Sequence, residues 1–210
     1  MNRPLSVRWQ DLACQLRLPS TFSTKVAAFL EGAYAEPHRA YHNLKHLEDL
    51  FEALPSAEST PELEMAIWFH DVIYAPRRTD NELASRQVFR RLFQPRLPYP
   101  FIQRTADLIR ATEHGAELTS SDPEVVLFID LDLLILSAPE DRYRAYTDQI
   151  RREYAHVPQS DFQRGRLHLL TQFLMRPRIY QSPLGIPGEQ AARKNLEKER
   201  DDLSAAVKSA

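Results

Sequence analysis

Glycine is scarce, with 5 in 210 residues, so a fold made of many tight hairpin turns lacks the residues those turns need. Cysteine is scarcer still. Cys14 stands alone, which excludes an intrachain disulfide and a thiolate metal cluster and suits a reducing compartment. At its position in the first helical stretch it reads as a small apolar side chain. Neither sign of charge dominates: 27 Lys and Arg against 29 Asp and Glu leave a formal net charge of -2. The basic field that phosphate backbones require is absent, and no nucleic acid partner is expected. Also missing are an apolar h-region in the opening MNRPLSVRWQDLA and any uncharged run of about 18 apolar residues. The expectation is a soluble cytoplasmic protein with no membrane partner.

What is present favours helices. A hydrophobic fraction of 43% with 27% charged residues is ordinary for a globular domain, and the length suits one domain over 1–210. Ala, Leu, Glu, Arg and Gln are plentiful, and the 15 prolines divide the chain into helix-length pieces. Helices are expected over Trp9 to Leu16, from a cap at Ser20 or Ser23 towards Pro37, and from Leu44 to Leu54. The last of these has an apolar face in Leu44, Leu47, Leu50, Phe51 and Leu54. Another begins at Ser59 or Thr60, with Pro61 in its first turn, and runs almost wholly apolar into MAIWFHD. Further helices fit Asp80 to Phe93, Phe101 to Glu113, Pro139 to Ala155, Asp161 to Met175 and Glu189 to Val207. The last of these reads as a solvated amphipathic tail. Only EVVLFIDLDLLIL invites a strand, but it would have no partner, so a buried helix is expected there. The resulting fold is all-α, a single-domain helical bundle.

Three pieces far apart in the chain set metal-competent side chains among apolar ones: YHNLKHLEDL, AIWFHDVIY and LFIDLDLLIL. Burying an unpartnered charge costs several kcal/mol, so the aspartates need a hydrogen bond, a counter-charge or a cation. His42 and His46 share a helical face if the helix already includes Tyr41. His70 and Asp71, being adjacent, can meet one ion only where their helix ends. Imidazole with carboxylate and no sulfur suits Mn, Fe, Co, Ni, Zn or Mg. Taken singly, a histidine or an HD dipeptide is commonplace; the order of the three pieces gives them weight.

That order, a His, then His-Asp, then a distant Asp on helices, resembles the HD superfamily of metal-dependent phosphohydrolases. The resemblance is strongest to a small bacterial group assigned to that superfamily, through YHNLKHL, FHDVIY, DNELAS and FIDLDLLIL, and extends into REYAHVP and RPRIY. It implies one HD-type helical domain with a metal-binding core over about 38–136 and C-terminal helices over about 139–207 packed on it. It also implies one divalent ion held by His46, His70, Asp71 and Asp132. YHNLKHLEDL is further similar to a segment of cyclic nucleotide phosphodiesterases in which the first histidine donates a proton; carried over, His42 is the candidate acid. Asp130 is the alternative to Asp132 and otherwise stands behind it. Asp71 is both ligand and candidate base, and Glu82 is a candidate partner for the attacking water, with an ordinary exposed helix-start acid as its plain reading. His114, Lys45 and Arg78 are candidates for substrate phosphate, with Arg77, Arg151 and Arg166 behind them. The histidine pair of dinuclear relatives is missing, so one ion is expected rather than two.

The implied activity is hydrolysis of a small-molecule phosphoester, of a nucleotide or a similar compound, by water that the metal activates. The alternative is a non-catalytic module of the same fold that binds and senses a nucleotide or metabolite. Apolar positions on the terminal helices leave a homodimer open.

Overall fold

The computed structural model describes residues 3–113 and 120–208. Every regular element among them is helical: α1 (Leu5–Gln15), α2 (Ser20–Tyr34), α3 (Leu44–Ala53), α4 (Pro61–Phe69), α5 (Asn81–Phe93), α6 (Tyr99–Ala111), α7 (Pro123–Leu133), α8 (Glu140–Glu153), α9 (Gln159–Met175) and α10 (Glu189–Lys208). Short 3-10 turns lie at Ser56–Glu58, Leu134–Ser137 and Ile186–Gly188. The ambiguous run EVVLFIDLDLLIL is helix α7 followed by a 3-10 turn. Its start is set locally, for Asp122 Oδ1 accepts from the N–H groups of Glu124 (3.0 Å) and Val125 (3.4 Å) and so satisfies donors that a helix leaves open. No helix among the described residues is long and apolar enough to cross a membrane. Contacts divide the chain within α7 into two compact units, Met1–Phe128 and Ile129–Ala210.

In the first unit α4 is the central element, packed against α1, α3, α5 and α6. Thr60 caps it, accepting from Leu63 N–H at 3.1 Å, and Pro61 occupies the first turn, where its missing N–H costs nothing. From Met65 to Phe69 no side chain reaches solvent appreciably, which explains why the sequence shows no polar stripe there. Trp68 meets Trp9 edge-on at 5.7 Å and Phe51 at 5.3 Å, while Phe69 meets Phe89 and Phe93 at 5.7 and 5.4 Å. Each large apolar side chain buried in this way contributes roughly 1.5–3 kcal/mol. α4 therefore ends at a fixed place, and the residues that end it are His70 and Asp71.

In the second unit α10 packs along α9 and over the 3-10 turn after α7. This corrects the expectation of a solvated tail. Ala192 and Leu196 are fully buried, and Glu199 receives two hydrogen bonds from the buried Arg166 at 2.7 and 3.0 Å and one from Tyr143 Oη at 2.5 Å. The charged composition of the helix conceals a two-residue apolar stripe and an acid that faces inward. The chain between α9 and α10 is irregular but pinned. Glu189 accepts from the N–H groups of Ile179 and Tyr180, Asp130 Oδ2 accepts from those of Gln181 and Ser182, and Tyr180 Oη donates to Leu133 O at 2.9 Å.

Candidate metal centre

α3 begins at Leu44, three residues later than the helix including Tyr41 that would set His42 and His46 on one face. Asn43 has extended backbone angles, and its side-chain oxygen accepts from Lys45 N–H at 2.9 Å, so Asn43 is the cap and His42 precedes the helix. The two imidazoles nevertheless stay close, edge to face, with ring centres 5.8 Å apart. His42 also stacks on Tyr74 at 4.1 Å, and Tyr41 lies beside both histidines at 5.0 Å from each.

His46 is in the first turn of α3 and is buried. His70, also buried, is the residue at which α4 stops, its N–H still bonded to Ala66 O. Because the helix ends there, the neighbouring Asp71 turns to the same side. The Nε2 atoms of His46 and His70 are 3.1 Å apart, and Asp71 Oδ2 is 3.2 Å from the His70 nitrogen and 3.9 Å from that of His46. Two imidazole nitrogens and a carboxylate oxygen therefore converge.

The protonation of His70 is constrained by its other nitrogen. Nδ1 lies 2.9 Å from Ile67 O, and a carbonyl can only accept, so Nδ1 carries a hydrogen. In the neutral ring the Nε2 lone pair then faces a carboxylate oxygen. Two lone-pair atoms at that distance repel unless a proton or a metal cation lies between them. An imidazole whose remote N–H is held by a backbone carbonyl is also the usual state of a metal-bound histidine. The residues present thus fit a cation: the first unit holds a buried cluster of N and O ligands, mixed in the way divalent transition metals or Mg accept.

Asp130 and Asp132 lie two residues apart on α7, and their environments differ. Asp130 is buried, and one oxygen accepts from the N–H groups of Gln181 at 2.9 Å and Ser182 at 2.6 Å. Burial pushes its carboxyl above the usual range, against the pull of those amides and of the Ser182 hydroxyl. Its work is to anchor the chain between α9 and α10. Asp132 is half-buried, one helical turn past Phe128, and the Phe128 ring meets His70 edge-on at 5.7 Å.

The remaining candidates are placed as follows. Glu82 is half-buried in the first turn of α5, where the helix dipole favours an acid. Lys45 Nζ bonds Asp49 at 2.9 Å with Glu48 at 3.5 Å, and the Asp49 bond raises its pKa. Arg78 pairs with Asp80 at 2.9 Å on the surface, and Arg77 is exposed. Arg151 donates to the carbonyls of Tyr154 (2.6 Å) and Val157 (3.1 Å) at the end of α8, and Arg166 serves Glu199. His114 lies outside the described residues.

Three residues that sequence reasoning did not assign hold the turn after α4. Asn81 bonds both the N–H (3.0 Å) and the carbonyl (3.2 Å) of Ala75, and Ser85 Oγ does the same for Ile73 at 3.0 and 3.2 Å. Both belong to DNELAS, where a pair of polar residues four apart, preceding an apolar helix face, was the available signal. The third is Arg39, buried beneath the turn.

No family model matches the chain, and no curated protein matches it either.

Proposed function

We propose that the protein is a metal-dependent phosphohydrolase of the HD type, with one divalent cation held by His46, His70, Asp71 and Asp132. The observation that carries it is the buried convergence of His46 Nε2, His70 Nε2 and Asp71 Oδ2, with the lone pair of His70 directed inward. Asp132 enters the set as the distant aspartate that the HD resemblance implies. The order of these residues in the chain is the order that the HD resemblance calls for.

A divalent ion bound there would acidify coordinated water and polarise a phosphoryl oxygen. The chain supplies the rest. Asp71, at the rim of the cluster, accepts a proton from the attacking water. His42, held by its stack on Tyr74 beside His46, donates one to the leaving oxygen. A positioned acid of this kind contributes about 100- to 10,000-fold, so His42→Ala lowers kcat by that order and leaves metal content unchanged. The substrate is a small phosphoester, of a nucleotide or a similar compound.

The test uses protein purified without chelators. Elemental analysis is expected to show about one equivalent of metal per chain. With Mn or Co, a panel of nucleotides and simple phosphoesters should release phosphate or the dephosphorylated product. His70→Ala combined with Asp71→Ala should abolish both metal binding and turnover. Activity that survives in the double variant defeats the proposal, and tight nucleotide binding without turnover would replace it with a sensing module.

A further inference from the structure

Arg39 stands out among the arginines of the first unit because its guanidinium is withdrawn from solvent completely. Leaving so costly a charge inside requires several good partners. Nε donates to Glu36 at 2.9 Å, Nη1 to the carbonyls of Asp71 at 2.6 Å and His42 at 3.2 Å, and Nη2 to the carbonyl of Val72 at 3.1 Å. The rings of Tyr34 and Tyr74 have their centres 5.1 and 5.5 Å from the guanidinium carbon, and each ring face favours a cation there. Three of the four hydrogen bonds go to backbone carbonyls of the two segments that carry His42 and Asp71.

We propose that Arg39 is a positioning residue that locks the segment before α3 to the turn after α4 and thereby sets where Asp71 presents its carboxylate. This rests on the reading of the cluster as a metal centre and extends it to a residue that reaches one ligand, Asp71, through its backbone carbonyl alone. The planar guanidinium suits the task because it sends donors in fixed directions to carbonyls from different segments; a lysine ammonium at the end of a flexible stem cannot match that pattern. Arg39 also carries a fixed positive charge behind the cluster, so its effect reaches the cation through the orientation of Asp71 and not through attraction.

The experiment compares wild type, Arg39→Lys and the control Arg8→Lys. Arg8 makes a similar bond, from Nη2 to Phe51 O at 3.2 Å, away from the cluster. Amide hydrogen exchange in metal-free protein is expected to rise at least tenfold over residues 71–75 in Arg39→Lys, and to stay at the wild-type level there in Arg8→Lys. Titration with Mn should show affinity about 10- to 100-fold weaker in Arg39→Lys alone, the size usual for groups that orient metal ligands. Should Arg39→Lys fail to fold, Arg39→Gln, which keeps a planar donor, serves in its place. Unchanged exchange over 71–75, or a loss of Mn affinity no greater than in Arg8→Lys, overturns the proposal. If wild type binds no Mn, the metal reading fails separately, and the exchange result still decides whether Arg39 locks the turn.

Discussion

The residues legible in the sequence were those whose burial is anomalous. His46, His70 and Asp71 are polar side chains within or at the end of apolar runs, and a chain does not bury such groups without employing them. Arg39 has no such mark: it is one of 27 basic residues in a polar stretch, and only the fold shows that its guanidinium lies inside. Asn81 is similar, for its importance comes from the backbone of Ala75, and the polar pair in DNELAS marks the residue without showing what it holds. Asn81→Ala leaves the N–H and carbonyl of Ala75 without these partners and should lower stability by about 1–3 kcal/mol, measured as a shift in the urea midpoint. A titration prediction belongs at this scale too. Arg104 bonds Asp122 and Glu124 and holds the Asp122 carboxyl down to about 2 from 3.8. A folded-state value below the unfolded one means that the stabilisation is complete above the unfolded value and is lost as pH falls through about 2. The pair is partly exposed, so its contribution is small and salt-sensitive. Carbon-detected NMR should find Asp122 titrating near 2 in wild type and moving back towards 3.8 in Arg104→Gln.

At the scale of elements, proline and cap positions predicted most of the helices to within a few residues. α4 begins at Pro61 behind the Thr60 cap, as expected. α1 starts earlier, at Leu5, and α2 starts at Ser20 directly after Pro19, without a side-chain cap. Such differences arise because a proline that fixes the backbone can begin a helix as well as a serine can. The start of α3 matters most for chemistry, because the Asn43 cap places His42 outside the helix and His46 inside it. Asn43→Ala should cost about 0.5–2 kcal/mol in chemical denaturation and blur that boundary. Gly185, in the irregular segment before α10, is fitted for contact: a Cβ there would come within 2.7 Å of Tyr180 and 2.8 Å of Asp130 Oδ2. Gly185→Ala should destabilise the protein by about 1–3 kcal/mol and speed amide exchange at Gln181 and Ser182, whose N–H groups Asp130 holds.

At the scale of the whole molecule, each unit has its own core, and the second is closed by the helix that composition made look dispensable. Leu196→Ala empties a fully buried position on α10 and should cost about 2–5 kcal/mol; a solvated tail would lose almost nothing, so the denaturant midpoint decides. A cation bound at the proposed site would link stability to function. Mn at a thousandfold excess over its dissociation constant should stabilise the wild-type protein by about 4 kcal/mol, seen as a raised melting temperature that a chelator reverses. The variant combining His70→Ala with Asp71→Ala should show no such response.

The amino-acid sequence by itself determined the helical character, the approximate limits of the elements and the short roster of metal-competent side chains, because these follow from propensity, periodicity and the cost of burying polar groups. Tertiary structure alone decided that His46, His70 and Asp71 converge, that Asp130 anchors backbone amides, and that Arg39, Asn81 and Ser85 hold the turn after α4. Those outcomes depend on hydrogen bonds to carbonyls and amides that every residue possesses, so no residue type announces them in advance.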